Sequence, residues 1–422
     1  KQPLSEFIRA AEEHDADVIG MSGLLVKSTV VMKENLLELN ALGLGTRWPI
    51  LLGGAALTRT YVEDDLASIF DGEVRYARDA FEGLALMEPL VAIARGADRE
   101  SVGLPPLKKR IHARTTIDVT EPENMPARSD VVADNPVPTP PFWGTRIVKG
   151  VALADYAAFL DERATFMGQW GLKPSRAEDG ASYEDLVQTD GRPRLRYWLD
   201  RILAEGILDA SVAYGYFPAY SEGDDLVILN HGDDPTGTLG AAGLLAPDGG
   251  SRGAIGTERL RFSFPRQRRD RHLCLSDYVR SGESGEIDVV AIQLVTAGSA
   301  VDAVTAKLFA EDKYRDYMEL NGLTMQLTEA LAEYWHSRVR DELGFGSEDP
   351  EDIAGMFKLN YRGARFSLGY PACPNMEDRH KVVELLRPER MGVTLSEELQ
   401  LHPEQSTDAF VFHHPEARYF SV

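Results

Sequence analysis

Residues 1 to 103 alternate between two apolar periods. LSEFIRAAEEHDA, from Leu4, has helical spacing, and DVIGMSGLL, from Asp17, follows as a short apolar run. VVMKENLLELNALG is a second helical pattern, WPILLGGAAL a second strand, and YVEDDLASIF a third helix. VRYA and DAFEGLALMEPLVAIARG complete the series as a strand and a helix. Alternation at this spacing predicts a doubly wound parallel sheet covered on both faces. Each strand ends in small residues: Ser22-Gly23, Gly53-Gly54, and Ala77 to Ala80. Ligands of such sheets bind outside the carboxyl ends of the strands, where small residues allow close approach.

The pattern stops at Leu104. Eight prolines fall between there and Trp143, which reads as an extended linker. From Gly144 the order changes. Helical stretches VALADYAAFLDERATFM and RPRLRYWLDRILAEG come first, followed by strand-like ASVAYGYFPA, DDLVILN, ERLRFSF and IDVVAIQLV. A long helical region then runs from Ser299 to about Leu343, and a short helix follows Asn375. Segregated helices and strands predict an α+β domain on an antiparallel sheet. The expected organisation is a partial Rossmann-like α/β part over residues 1–103, a linker over 104–143, and an α+β domain over 144–422.

A formal charge of −22 argues against nonspecific nucleic-acid binding, which needs a positive face. No apolar run reaches membrane-spanning length, so a soluble protein is expected. Cys274 and Cys373 are the only cysteines and lie in no CxxC spacing. This fits a reducing cytoplasm and speaks against a structural zinc site in this chain. The chain opens on Lys1 with no signal peptide, which reads as a piece of a larger protein.

GMSGLL and LLGGAAL lack the GxGxxG of a dinucleotide loop, and GLGT at Gly43 lies between a helix and a strand. Together the small strand ends suit a large ligand rather than a phosphate loop. A more specific signal is RGARFSLGYPACPNMEDRH, Arg362 to His380. ADVIGMSGLLVKS, PILLGGAAL and VRYARDA resemble the second half of the cobalamin domain of cobalamin-dependent methionine synthase. PVPTPPFWGTR, GYFPAYSEGDD, HLCLSDYV, LTEALAEYWHSRVR, RGARFSLGYPACP and FHHPEARYF resemble that family's activation domain. The likeness runs over nearly the whole chain.

The resemblance implies S-adenosylmethionine and cobalamin as cofactors. In the family, cobalt carries a methyl group from methyltetrahydrofolate to homocysteine. The activation domain rescues oxidised cob(II)alamin by coupling one-electron reduction to methyl transfer from S-adenosylmethionine. Partners would be the upstream homocysteine (zinc-dependent), folate and cobalamin modules, with a flavodoxin-like or reductase electron donor. No nucleic acid or membrane partner is expected, and the chain would be a monomer. The rival readings are a stand-alone S-adenosylmethionine methyltransferase and a noncatalytic docking module for an electron-transfer protein.

For the methionine part of the ligand, a carboxylate suits the ammonium and an arginine fork the carboxylate. The family's positions fall on Asp161 and on Arg365 of RxxxGY. Gly369 and Tyr370 complete that motif, Tyr419 and Phe420 match a C-terminal aromatic pair, and Glu329 is a further acid. Arg365→Ala is expected to weaken ligand binding with little effect on the fold. Ser22, Val26, Gly53, Gly54 and Ala80 match the cobalamin part. The family's DxHxxG, with its cobalt-binding histidine, is absent from this chain, so no metal ligand is assigned. Two departures stand out: Val26 replaces a hydrogen-bonding residue and Leu359 an acid. Cys373 has no base nearby in sequence and reads as packing. The arginines Arg259, Arg261, Arg266, Arg268, Arg269 and Arg271 suggest a charge-steered docking patch, with Arg266, Arg268 and Arg269 as its centre.

Overall fold

The structure, a computed structural model, describes residues 3–23, 26–54, 57–107, 125–172, 181–230 and 257–422, with the side chains of 26 and 27 excepted. It divides into two compact units, Lys1–Ile117 and Asp118–Val422. No described helix is long and apolar enough to cross a membrane.

The first unit runs α1 (Leu4–Glu13), β1 (Ile19–Ser22), α2 (Val26–Ala41), β2 (Ile50–Gly53), a π-helical turn (Tyr61–Leu66), β3 (Val74–Ala77) and α3 (Ala80–Ala94). The three strands pair in parallel, in the order β1-β2-β3. Successive strand residues point to opposite faces. Ile19, Met21, Ile50, Leu52, Val74 and Tyr76 therefore pack with Leu4, Leu36 and Val62 from α1, α2 and the turn. Leu51 turns the other way, onto Leu86 and Leu90 of α3. The side chain of Asp79 starts α3 by accepting from the Glu82 amide at 2.8 Å.

The strand ends lie side by side, with Ser22 opposite Gly53 and Gly53 opposite Ala77. Gly54 has φ +105°, and a Cβ there would lie 2.2 Å from the Gly23 carbonyl oxygen. The absence of a side chain at Gly54 thus serves the approach of the chain to itself. Val26 opens α2, with its side chain outside the described residues.

The second unit is built on a seven-stranded antiparallel sheet among the described residues. Its strands are β4 (Gly144–Lys149), β5 (Ser211–Glu222), β6 (Asp225–Leu229), β7 (Glu258–Ser263), β8 (Asp288–Thr296), β9 (Ala364–Phe366) and β12 (Ser406–Phe412). The order is β7-β6-β5-β8-β12-β9, and β4 pairs with the first half of β5. A small hairpin, β10 (Thr394–Leu395) and β11 (Leu401–His402), stands apart. The helices are α4 (Leu153–Tyr156), α5 (Tyr183–Leu186), α6 (Arg192–Glu205), α7 (Ala300–Ala310), α8 (Tyr314–Glu342), α9 (Ile353–Phe357) and α10 (Asp378–Leu386). Trp198 of α6 and Leu323, Leu327 and Trp335 of α8 share one core with Val212, Tyr214, Tyr216 and Ala291 of the sheet. An aromatic group collects Phe262, Phe264, Phe366, Phe410, Phe412, Tyr278 and Phe420.

The arginine-rich stretch departs from the expected patch at Arg266, which is buried. Arg266 is 8% exposed. Its Nη1 and Nη2 donate to the carboxylate of Asp277 at 2.5 and 2.9 Å, and Asp277 is itself fully buried. Arg266 also reaches the Ala127 carbonyl at 3.2 Å. Arg271 pairs with Asp130 and Glu416, each at 2.7 Å, and Arg128 reaches the carbonyls of Asp277 and Val279. Arg261 is surrounded by Glu222, Asp225 and Glu258. Arg266 and Arg271 therefore fasten the proline-rich segment to the unit's own surface, because an arginine fork can satisfy several oxygens at once. Arg268 is exposed, and Arg269 lies 3.8 Å from Asp270.

Candidate functional site

Helix α8 carries Glu329, Glu333, His336 and Arg340. Their spacing of four, three and four residues puts them on one helical face. Arg365 faces this stripe from β9, an edge strand whose register sets Arg365 opposite Val411 of β12. Arg365 Nη1 donates to Glu333 Oε2 at 2.6 Å, and Nη2 donates to Glu329 Oε2 at 3.3 Å. The Tyr361 hydroxyl donates to the same Glu333 oxygen at 3.3 Å. Behind it, the Tyr361 ring lies 4.0 Å from the Arg340 guanidinium and edge-on to His336 at 5.2 Å. Arg340 in turn clasps Asp349 through two nitrogens.

After β9 the chain makes a tight turn. Gly369 has φ +94°, in the left-handed region, and its amide donates to the Cys373 carbonyl at 2.9 Å. Tyr370 leaves this turn 55% exposed, edge-on to Tyr419 with ring centroids 6.3 Å apart. Between these parts lies a cleft of about 260 Å³, whose walls include Glu329, Glu333, Leu359, Arg365, Tyr370 and Tyr419.

Four expected ligand residues thus meet in one cleft: Arg365, Glu329, Tyr370 and Tyr419. Gly369 shapes the turn without lining the cleft. Phe420 does not line it either: it is 7% exposed and packs against Tyr278 and Phe366. Asp161 lies outside the lining, where its Oδ1 accepts from the amide of Ala164, the first residue of a π-helical turn, Ala164–Gln169, at 2.9 Å. Glu333 was missed by the sequence reading, although its place one turn after Glu329 put it on the same face. Leu359, where an acid was expected, lines the cleft with φ +57° and is 48% exposed.

Burial opposes the charge of Arg365, but the carboxylates of Glu333 and Glu329 outweigh it, so its pKa is raised. Burial pushes the Cys373 thiol up to about 12, in line with a packing role. Burial, reinforced by Arg340 and Arg365, drives His336 well below its ordinary value. A histidine depressed in the folded state takes up a proton more readily when unfolded. Stability is then full above the unfolded value of about 6.5 and falls as pH drops from there toward the folded value. Thermal unfolding at pH 7.5 and 5.5 is expected to show a drop that is smaller in His336→Gln. An equal drop in both proteins would remove His336 as a source.

A family model described as "Vitamin B12 dependent methionine synthase, activation domain" matches residues 188–422, more than half of the chain and all of the cleft. The chain belongs to this family. It is 55% identical over 448 residues to the methionine synthase of Mycobacterium tuberculosis, and 53% over 451 residues to that of Mycobacterium leprae. Each alignment takes in 100% of this chain but 36% of the relative, so the chain spans about a third of their length. The MetH reactivation domain, solved bound to AdoHcy, superposes with a TM-score of 0.53 and 25% identity, covering 67% of this chain and 83% of that one.

Proposed function

We propose that the cleft of the second unit binds S-adenosylmethionine and that the chain is the reactivating part of a cobalamin-dependent methionine synthase. The observation that carries this reading is Arg365, held by two acids in a cleft walled by Tyr370 and Tyr419. A guanidinium suits the ligand's carboxylate, the acids suit its cationic groups, and tyrosine rings cover apolar surface. The AdoHcy bound to the related reactivation domain supports the same ligand class. A sulfonium is already a good leaving group. The residues of the cleft need only bind and orient it, and no general base is required.

Cobalamin, when bound, supplies a cobalt nucleophile to accept the methyl group. In this reading the first unit is part of a Rossmann-like domain, and the strand ends at Ser22, Gly53, Gly54 and Ala80 face the cofactor. Ser22 and Ala80 are exposed there, which fits one wall of such a site. Of these residues only Ser22 offers a side-chain polar group, so the row supplies contact surface rather than a cobalt ligand. The upstream homocysteine, folate and zinc-bearing modules, a flavodoxin-like reductant approaching near Arg268 and Arg269, a monomeric state and a cytoplasmic setting complete the proposal.

Thermal unfolding with and without S-adenosylmethionine tests it. A ligand at a hundred times its dissociation constant adds about 2.7 kcal/mol to a native state. The midpoint should therefore rise by several degrees, and an unchanged midpoint at millimolar ligand would sink the reading.

A further inference from the structure

The cleft contains an acid that neither the motif nor the C-terminal aromatic pair brings with it. Glu333 is 9% exposed and lines the cleft on the face of α8 opposite Arg365. Its Oε2 accepts from Arg365 and Tyr361. Its Oε1 is buried and has no hydrogen-bond partner among the described residues. A buried carboxylate oxygen without a donor is unfavourable, and a ligand donor would relieve that cost.

The ligand class supplies one. An α-amino acid carries an ammonium and a carboxylate on a single carbon, so its receptor needs an acid directly beside a guanidinium. Glu333 and Arg365 are such a pair, 2.6 Å apart. Glu329 is the looser partner of Arg365, at 3.3 Å with its side chain 52% exposed, and a ligand carboxylate can take its place on Nη2. Asp161 already serves the Ala164 amide outside the cleft.

Resting on the reading of the cleft as an S-adenosyl site, we propose that Glu333 receives the ligand's α-ammonium at Oε1 while its Oε2 holds Arg365 for the α-carboxylate. Glu333 is then both a contact to the ligand and a positioning residue for Arg365.

Calorimetric titration of the full chain with S-adenosylhomocysteine and with its deamino analogue, which keeps the carboxylate, tests this. Glu333→Gln should weaken S-adenosylhomocysteine by about tenfold or more, the worth of a charged hydrogen bond. Binding of the deamino analogue should fall far less. Glu333→Asp keeps the charge on a shorter arm and should restore part of the discrimination. It also carries the comparison if the glutamine variant does not fold. Equal losses for both ligands would mean that Glu333 acts only through Arg365, and no loss for either would mean that it is idle. Either result overturns the proposal. A wild-type chain that binds neither ligand would instead overturn the reading of the cleft itself.

Discussion

Arg266→Ala is expected to lower the unfolding free energy of the second unit by about 3–5 kcal/mol, the cost of leaving a buried charge without its partner. Asp277, its partner, is 0% exposed and would keep only the backbone amides of Ser129 and Cys274 as donors. The change also strips donors from Asp224 and from the carbonyls of Ala127 and His272. Arg269→Ala, in the same stretch, removes a half-exposed side chain whose acid lies 3.8 Å away. It should leave stability within about 0.5 kcal/mol. Urea unfolding of the two variants decides between a structural clasp and a surface patch. Comparable small effects would restore Arg266 to the surface.

Arg365→Ala is expected to lower S-adenosylmethionine affinity by about a hundredfold or more, since it removes the cation and leaves two acids to repel the ligand's carboxylate. It should also destabilise the unit, by about 2–3 kcal/mol, below the full cost of a broken buried pair because the Arg365 side chain is 21% exposed. This revises the expectation drawn from sequence, in which the arginine could be removed with little cost to the fold. The structure places Glu333 against it with its side chain 12% exposed, and that charge becomes uncompensated. The double variant Arg365→Ala/Glu333→Gln should regain much of the stability and none of the binding. Denaturant unfolding combined with calorimetry separates the two effects. A double variant as unstable as the single one would show that the pair is not the cause.

The sequence made the separate parts of the cleft legible. RxxxGY marks a chain that needs a left-handed glycine, a displayed tyrosine and a nearby cation, and each is where the motif put it. The arrival of Arg365 on a strand was not legible. β9 is three residues long and exists because β12 offers it an edge. So short a segment carries too little periodicity to announce itself. β12 was missed for a related reason: from Asp408 to Phe412 it is buried on both faces, so STDAFVF shows no alternation. The role of Phe420 was likewise undecidable beside Tyr419, because neighbours on an extended chain point opposite ways and only packing tells which one is inside.

By itself the sequence determined the alternating character of the first unit, the segregated character of the second, the family, and four of the cleft's residues, Arg365, Glu329, Tyr370 and Tyr419. These depend on local period and on motifs that are short and rigid. Only the tertiary structure decided what each charge does. Arg266 and Arg365 are both arginines beside glycine- or proline-rich turns, yet one is a buried clasp and the other lines a cleft. The difference lies in partners more than ten or thirty positions away, Asp277 and Glu333. The energy of a charge is set by the oxygens and water around it in space. Such surroundings come from packing distant segments together, and no local pattern encodes them.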